Sequence, residues 1–285
     1  MLKINSFGII GGDKRQLYCA HSISNDGYSV LLAGFDNNPD LHKLKNSDTS
    51  DVIEHSDALI LPLPISKNGT EVFAPYSSSP IMLSDLVIQI PPNKPVFCGI
   101  NGAVERSELL PHRLYRYSSR EEFAAANAVP TAEGAIGIAI QKYDGTINGS
   151  RCLVIGYGKI GRILSRMLQG FGADITVAAR QLKDREFILA AGMKACSVTG
   201  ITEKYDIIFN TVPALVLDSH TLAKCALQSI VIDLASLPGG VDDEAAERMS
   251  VKVIHALSLP GKTAPKTAGV IIKSAVYNII EEEII

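Results

Sequence analysis

The chain has 285 residues, 46% hydrophobic and 20% charged, which is enough for two globular domains with full cores. Its net charge of -3 and pI near 6.1 argue against a nucleic-acid binder, which would show clustered lysine and arginine. No uninterrupted apolar run reaches the ~18 residues of a membrane span, and Met1-Leu2-Lys3-Ile4-Asn5 leads straight into a strand, leaving no room for a signal peptide.

From the N-terminus, Phe7-Gly8-Ile9-Ile10 reads as a buried strand that turns at Gly11-Gly12 into a helix over Lys14–Asn25. A second strand follows at Gly27-Tyr28-Ser29-Val30-Leu31-Leu32. Further strands are expected at Ala58-Leu59-Ile60-Leu61, Pro95-Val96-Phe97-Cys98 and Arg113-Leu114-Tyr115-Arg116-Tyr117. Loops over 62–70 and 99–103, rich in Gly, Pro and short polar residues, follow two of them. A connecting helix is expected over 130–144, with Pro130 at its first position and Glu133 in its first turn, where a carboxylate suits the dipole. Thr146-Ile147-Asn148-Gly149-Ser150 then leads into a second half.

That half opens on the strand Cys152-Leu153-Val154-Ile155 and the turn Gly156-Tyr157-Gly158-Lys159-Ile160-Gly161, with a helix over 162–171 and a strand at Ile175-Thr176-Val177-Ala178 behind it. This is G-x-G-x-x-G in the strand–turn–helix–strand context it needs, within about 30 residues. The first Gly permits the tight turn, the second lets backbone approach a pyrophosphate at the helix start, and the third lets helix pack on strand. A ribose 2′-hydroxyl is held by an Asp or Glu roughly 20 residues past the motif, at the tip of the second strand. Here that tip is Ala178-Ala179-Arg180-Gln181, with no carboxylate and an arginine, which favours NADP over NAD because a guanidinium binds a 2′-phosphate. The N-terminal half repeats the same 16-residue spacing from Gly11 to Gly27 as from Gly156 to Gly172, but Asp13 falls where Gly158 stands and Gln16 where Gly161 stands. A carboxylate at that place disfavours a dinucleotide.

Further strands are expected at Lys194-Ala195-Cys196, Ile207-Ile208-Phe209-Asn210, Ile230-Val231-Ile232-Asp233-Leu234 and Val251-Lys252-Val253-Ile254. Asn210-Thr211-Val212-Pro213 would lie by the nicotinamide ribose, and the loops over 233–240 and 256–267 follow later strands on the same side. Strands alternating with helices imply an α/β protein of two doubly wound, Rossmann-like domains with parallel sheets. The first is 1–129, completed by a C-terminal helix over 265–285, and the second is 130–264; two helices would join them across a cleft, where ligands tend to bind. Five cysteines without C-x-x-C spacing point to reduced, buried thiols in the cytoplasm, and six histidines show no metal-like cluster.

Several segments together resemble the dipicolinate synthase A family. They are Gly8-Ile9-Ile10-Gly11-Gly12-Asp13-Lys14-Arg15-Gln16, Val129-Pro130-Thr131-Ala132-Glu133-Gly134, the dinucleotide turn, Asp233-Leu234-Ala235-Ser236 with Pro238-Gly239-Gly240, and Leu259-Pro260-Gly261-Lys262-Thr263-Ala264-Pro265-Lys266-Thr267-Ala268-Gly269. Leu237 departs from the pattern, where a polar or basic residue is expected. The resemblance implies a substrate-side first domain and an NADP-binding second domain that together oxidise a dihydrodipicolinate-type ring to pyridine-2,6-dicarboxylate. It also implies the flavoprotein-like dipicolinate synthase B as partner, and work in the mother-cell cytoplasm during sporulation. A homo-oligomer is expected, with neither nucleic acid nor membrane as partner.

Such chemistry must anchor two carboxylates and accept one ring proton. The candidate anchors are Arg15 at the head of the first helix, Lys262 and Lys266 in the last loop, and Thr131 and Asn101 as neutral donors. Glu133 and His255 are candidate proton acceptors, with water as an alternative, so Glu133, Lys262 and His255 make up the catalytic set. The candidate cofactor residues are Gly156, Tyr157, Gly158, Lys159, Ile160, Gly161, Ala179, Arg180, Thr211, Val212 and Pro213. Two other readings stand beside this one. One is a hinge-type 2-hydroxy acid dehydrogenase, which would need an Arg and a carboxylate-paired His. The other is a non-catalytic nucleotide-binding component.

Overall fold

The structure, a computed structural model, describes residues 3–38, 44–99, 113–225 and 228–284. The chain divides into two units, Met1–Asn127 with Ala264–Ile285, and Ala128–Thr263.

The first unit begins β1 (Ser6–Ile10), α1 (Lys14–Asn25), β2 (Ser29–Ala33), β3 (Lys45–Asn46) and α2 (Thr49–Glu54). It continues β4 (Ala58–Ile60), α3 (Leu83–Gln89), β5 (Val96–Cys98) and β6 (Leu114–Arg116). α4 (Glu121–Lys142) carries the chain into the second unit. That unit runs β7 (Arg151–Ile155), α5 (Lys159–Gly170), β8 (Asp174–Ala178), α6 (Leu182–Ala190), β9 (Lys194–Cys196), β10 (Ile207–Asn210), α7 (Ser219–Cys225), β11 (Ile230–Asp233), α8 (Asp243–Arg248), β12 (Lys252–His255) and α9 (Leu259–Thr263). α10 (Pro265–Ile279) belongs again to the first unit.

Each unit holds one parallel sheet, in the order β3-β2-β1-β4-β5-β6 and β12-β11-β10-β7-β8-β9. Counted from its own first strand, each sheet grows to one edge, returns to the start and grows to the other. This doubly wound order places ligands beyond the carboxyl ends of the strands, at β1/β4 and β7/β10. Apolar residues pack on both faces, as parallel sheets require. In the first unit Phe7 and Ile9 meet Ile272, Val276 and Ile279 of α10 on one face, while Ile10 and Leu59 meet Val52, Ile53 and Leu86 on the other. Gly269 lets α10 close on α1, since a Cβ there would lie 2.5 Å from the Arg15 carbonyl oxygen.

The helix expected over 130–144 begins earlier. Glu121 and Glu122 supply the acidic first turn, and the Ala-rich run that follows propagates it, so Pro130 lies inside the helix and Glu133 in its middle. Pro130 has no N–H to offer the Ala126 carbonyl, a local cost that the rest of a 22-residue helix absorbs. Joined in this way, α4 is the one helix among the described residues long and apolar enough to cross a membrane by length and composition. Its Ala132, Ala135, Ile136 and Ala139 are buried in the core of the second unit. The cysteines are unpaired, and burial pushes the Cys19 and Cys98 thiols up to about 12, far from thiolate reactivity at neutral pH.

Candidate functional site

β7 ends at Ile155, and the chain turns through Gly156 at φ +99°, a conformation that L side chains disfavour. A Cβ at Gly156 would lie 2.4 Å from Thr211 Oγ1, and one at Gly161 would lie 2.0 Å from the Gly156 carbonyl oxygen. These two glycines are therefore demanded by the protein's own packing. Gly158 is different, because a Cβ there would meet nothing within 4 Å. It is the N-cap of α5, and no side chain caps that helix. An uncapped helix start with bare backbone in front of it suits a pyrophosphate, so the residues present fit a dinucleotide.

Two strand ends flank this start. After β10, Thr211 donates its N–H and its Oγ1–H to the Ile155 carbonyl at 2.9 and 2.8 Å, which holds Thr211 and Val212 against Gly156. After β8, Ala179 is buried and Arg180 is exposed. Arg180 makes no ion pair among the described residues, whereas nearby Arg162 is taken up by Asp184 at 3.4 Å and by the Tyr157 ring at 5.0 Å.

Beyond β10, β11 and β12 lies a polar network whose members look, in sequence, like parts of separate loops. The buried Asn210 donates to Asp233 Oδ1 at 2.8 Å, and Asp233 also accepts the Ala235 and Gly240 N–H groups, both at 3.2 Å. His255 stands between two carboxylates, with Nδ1 3.5 Å from Asp233 and Nε2 2.8 Å from Asp243. The two approach opposite ring nitrogens and do not converge, and among the described residues no group could hold a metal ion. A polar residue ending each buried run, Asn210 after Ile207-Ile208-Phe209 and Asp233 after Ile230-Val231-Ile232, is the signal that would have found the network.

Residues 6–106 match the dipicolinate synthase A N-terminal domain, and residues 127–246 match the NAD binding domain of D-isomer specific 2-hydroxyacid dehydrogenases. The dipicolinate synthase A of Bacillus subtilis (strain 168) is 30% identical, over 99% of this chain and 98% of its own. The chain belongs to the dipicolinate synthase A family. The crystal structure of dipicolinate synthase A from Bacillus halodurans matches with a TM-score of 0.89 at 31% identity, covering 99% of both chains. A transhydrogenase from Sinorhizobium meliloti, at 13% identity and TM-score 0.72 over 98% of this chain and 93% of its own, shares the fold alone. The second unit is thus a nicotinamide dinucleotide-binding domain of the dehydrogenase type.

Two of the segments that carry the dipicolinate synthase A resemblance meet inside the second unit. Gly134, next to Glu133, lies against α9, where a Cβ would come 2.9 Å from Thr263 Oγ1 and 3.1 Å from Leu259 Cβ. Glu133 and Lys262 are both exposed, and Thr131 is half-buried. Lys266 is exposed in the first turn of α10, in the other unit. Arg15 is not a free cation. It is buried, its Nε and Nη2 each bond Asp13 at 2.9 Å, and Nη2 also donates to the Leu63 carbonyl. The reason is local: Asp13, two residues earlier, caps α1 and faces the same side chain. Asn101 lies outside the described residues. Leu237 is 79% exposed, which is unusual for a leucine and leaves no cation at that point of the loop.

Proposed function

We propose that this chain is an NADP-dependent oxidoreductase that turns a dihydrodipicolinate-type ring into pyridine-2,6-dicarboxylate, together with the flavoprotein-like dipicolinate synthase B, in the mother-cell cytoplasm during sporulation. The observation that carries the reading is the bare, uncapped start of α5 beside an exposed Arg180 with no ion pair among the described residues, in a chain akin from end to end to a dipicolinate synthase A. The backbone of Gly156, Tyr157, Gly158, Lys159, Ile160 and Gly161 would hold the pyrophosphate, Thr211, Val212 and Pro213 the nicotinamide ribose, and Ala179 with Arg180 the phosphorylated adenosine. When bound, NADP⁺ supplies the hydride acceptor, and the ring gives up one hydride and one proton as it becomes aromatic.

The chain's own groups bind and orient. Lys262 and Lys266 are the carboxylate anchors, with Thr131 and Asn101 as neutral donors. Arg15 is left out, since its donors are already committed to Asp13 and Leu63. Glu133 is the proton acceptor in this reading: it is exposed, and Gly134 beside it packs on the helix that carries Lys262. His255 is less suited, because a carboxylate faces each of its ring nitrogens.

The His255–Asp243 pair, with the family match over 127–246, favours one second reading, a 2-hydroxy acid dehydrogenase. That chemistry also wants an arginine, and the exposed loop position offers Leu237. Absorbance in the reduced-nicotinamide band decides between them. Purified chain, with and without its flavoprotein-like partner, is given NADP⁺ or NAD⁺ and either a dihydrodipicolinate-type ring or a panel of 2-hydroxy acids. Turnover of the ring with NADP⁺ is expected. Turnover of hydroxy acids alone would install the second reading, and NADPH binding with no turnover under any condition would leave a nucleotide-binding component.

A further inference from the structure

Asp233 is 1% exposed, yet it is a carboxylate held by three amide donors, with His255 Nδ1 standing 3.5 Å away, and these groups are drawn from the ends of β10, β11 and β12. Burying a charge costs far more than burying a neutral amide, unless the charge is met by good partners. Asn210, also fully buried, passes the contact on: its Nδ2 donates to the Val212 carbonyl at 3.0 Å and its Oδ1 accepts the Val212 N–H at 3.1 Å. Gly240 closes the other side, where a Cβ would lie 2.2 Å from Asn210 Nδ2 and 2.6 Å from the Val212 carbonyl oxygen. Val212 in turn lies 2.9 Å from the place a Gly156 Cβ would occupy. An unbroken run of contacts therefore joins His255, Asp233, Asn210, Val212 and the dinucleotide turn, all beyond the carboxyl ends of one sheet.

We propose that Asp233, bridged to α8 by His255, is a positioning residue that fixes residues 211–213 and the 235–240 loop for the nicotinamide half of the cofactor. This rests on the dinucleotide-binding reading of the second unit. The residues that would hold the pyrophosphate and the adenosine lie elsewhere, at the start of α5 and the tip of β8, so the two halves of the cofactor should separate experimentally.

The test uses the full chain carrying His255→Gln, a half-exposed position at which folding should survive, and in parallel Asp233→Asn. Three signals are read: affinity for adenosine 2′,5′-bisphosphate, emission of bound NADPH, and kcat against KM for NADP⁺. Both variants should keep the bisphosphate affinity and change the bound-NADPH emission. Asp233→Asn should also lower kcat on the order of tenfold to a hundredfold at little changed KM, as a misplaced reactive group does. Unchanged emission and kcat in both variants would overturn the proposal. A fall in bisphosphate affinity parallel to the other losses would also overturn it, because a merely structural residue would do that. If the wild-type chain binds NADPH without turnover, the oxidoreductase reading fails on its own, and the emission comparison still decides this one.

Discussion

Asp13 and Gly158 occupy the same place in the two units: each is the N-cap of the helix that follows the first strand of a doubly wound sheet. Around Asp13 the helix start is answered from within. Its carboxylate accepts the Arg15 N–H at 3.0 Å, Gln16 Oε1 reaches back to the Asp13 N–H at 3.1 Å, and the Arg15 guanidinium folds onto the same carboxylate. The segment 65–82 lies over the turn as well, with Gly12 donating to the Phe73 carbonyl and a Gly11 Cβ only 2.7 Å from Val72. Gly158 has no side-chain cap behind it, and among the described residues nothing lies within 4 Å of where its Cβ would stand. One fold thus yields a self-satisfied helix start and a receptive one. The difference lies in the N-cap, in the third helical residue (Gln16 against Gly161) and in the covering loop.

Removing the first unit's internal answers should produce the largest effect. Asp13→Ala strips the cap from α1 and leaves the Arg15 guanidinium buried beside the Leu63 carbonyl without its carboxylate. A loss of about 3–5 kcal/mol is expected, the scale of a broken buried pair, read as a lowered urea midpoint at unchanged slope. No dinucleotide binding should appear in exchange, because Val72 and Phe73 still close the turn. A loss below about 1 kcal/mol would mean that only the cap mattered.

The complementary change is Gly158→Val. Its Cβ points into open space, so the midpoint should hold, while affinity for NADPH should fall roughly a hundredfold, about 2.8 kcal/mol, by blocking the backbone. Equal affinity in the variant and the wild type would remove the pyrophosphate from this turn and with it the contrast between the two helix starts.

How much of this is legible in the sequence follows from how local each signal is. The G-x-G-x-x-G turn and the substitutions at Asp13 and Gln16 can be read because strand, turn and helix are contiguous. Most strands show as apolar runs in the same way, whereas β3, two polar residues at a sheet edge, offers no period to detect. Pro130 misleads because proline at a first helical position and proline inside a helix look alike until the Ala-rich run before it is counted. Arg15 reads as a free cation because sequence does not say which way a side chain two residues from Asp13 will turn. The Asn210–Asp233–His255 network is hidden for a deeper reason. Its members lie on three strands, more than 20 residues apart in sequence, and only the sheet brings them together.

The next change tests what the receptive helix start receives. Arg180 is the cation at the tip of β8, exposed and without an ion pair among the described residues. Arg180→Asp should weaken NADP by about 1–3 kcal/mol, the worth of a charge-assisted contact, and NAD far less, as measured by titration of both cofactors. Equal losses for the two would show that Arg180 does not touch a 2′-phosphate.

The smallest effects should come from a feature the two units share. Asp57, just before β4, accepts the Asn5 and Ser6 N–H groups at 2.8 and 2.9 Å, and Asp206, just before β10, accepts the Arg151 N–H at 2.7 Å. Each ties its unit's fourth strand to its first at the end away from the helix starts. Burial pushes both carboxyls up, but the hydrogen bonds from Asn5 and Ser6, and from Arg151, outweigh it and hold both below the usual carboxylate range. A depressed folded-state pKa adds stability that is present above the unfolded value of about 3.9 and is lost as pH falls through the folded value. Asp57→Asn and Asp206→Asn should therefore each cost about 1 kcal/mol at neutral pH, add in the double variant, and converge on the wild type as acid protonates the native carboxylates. Similar losses in the two units would leave the helix starts as the place where they part. A loss confined to one unit would show that the divergence runs through the sheet as well.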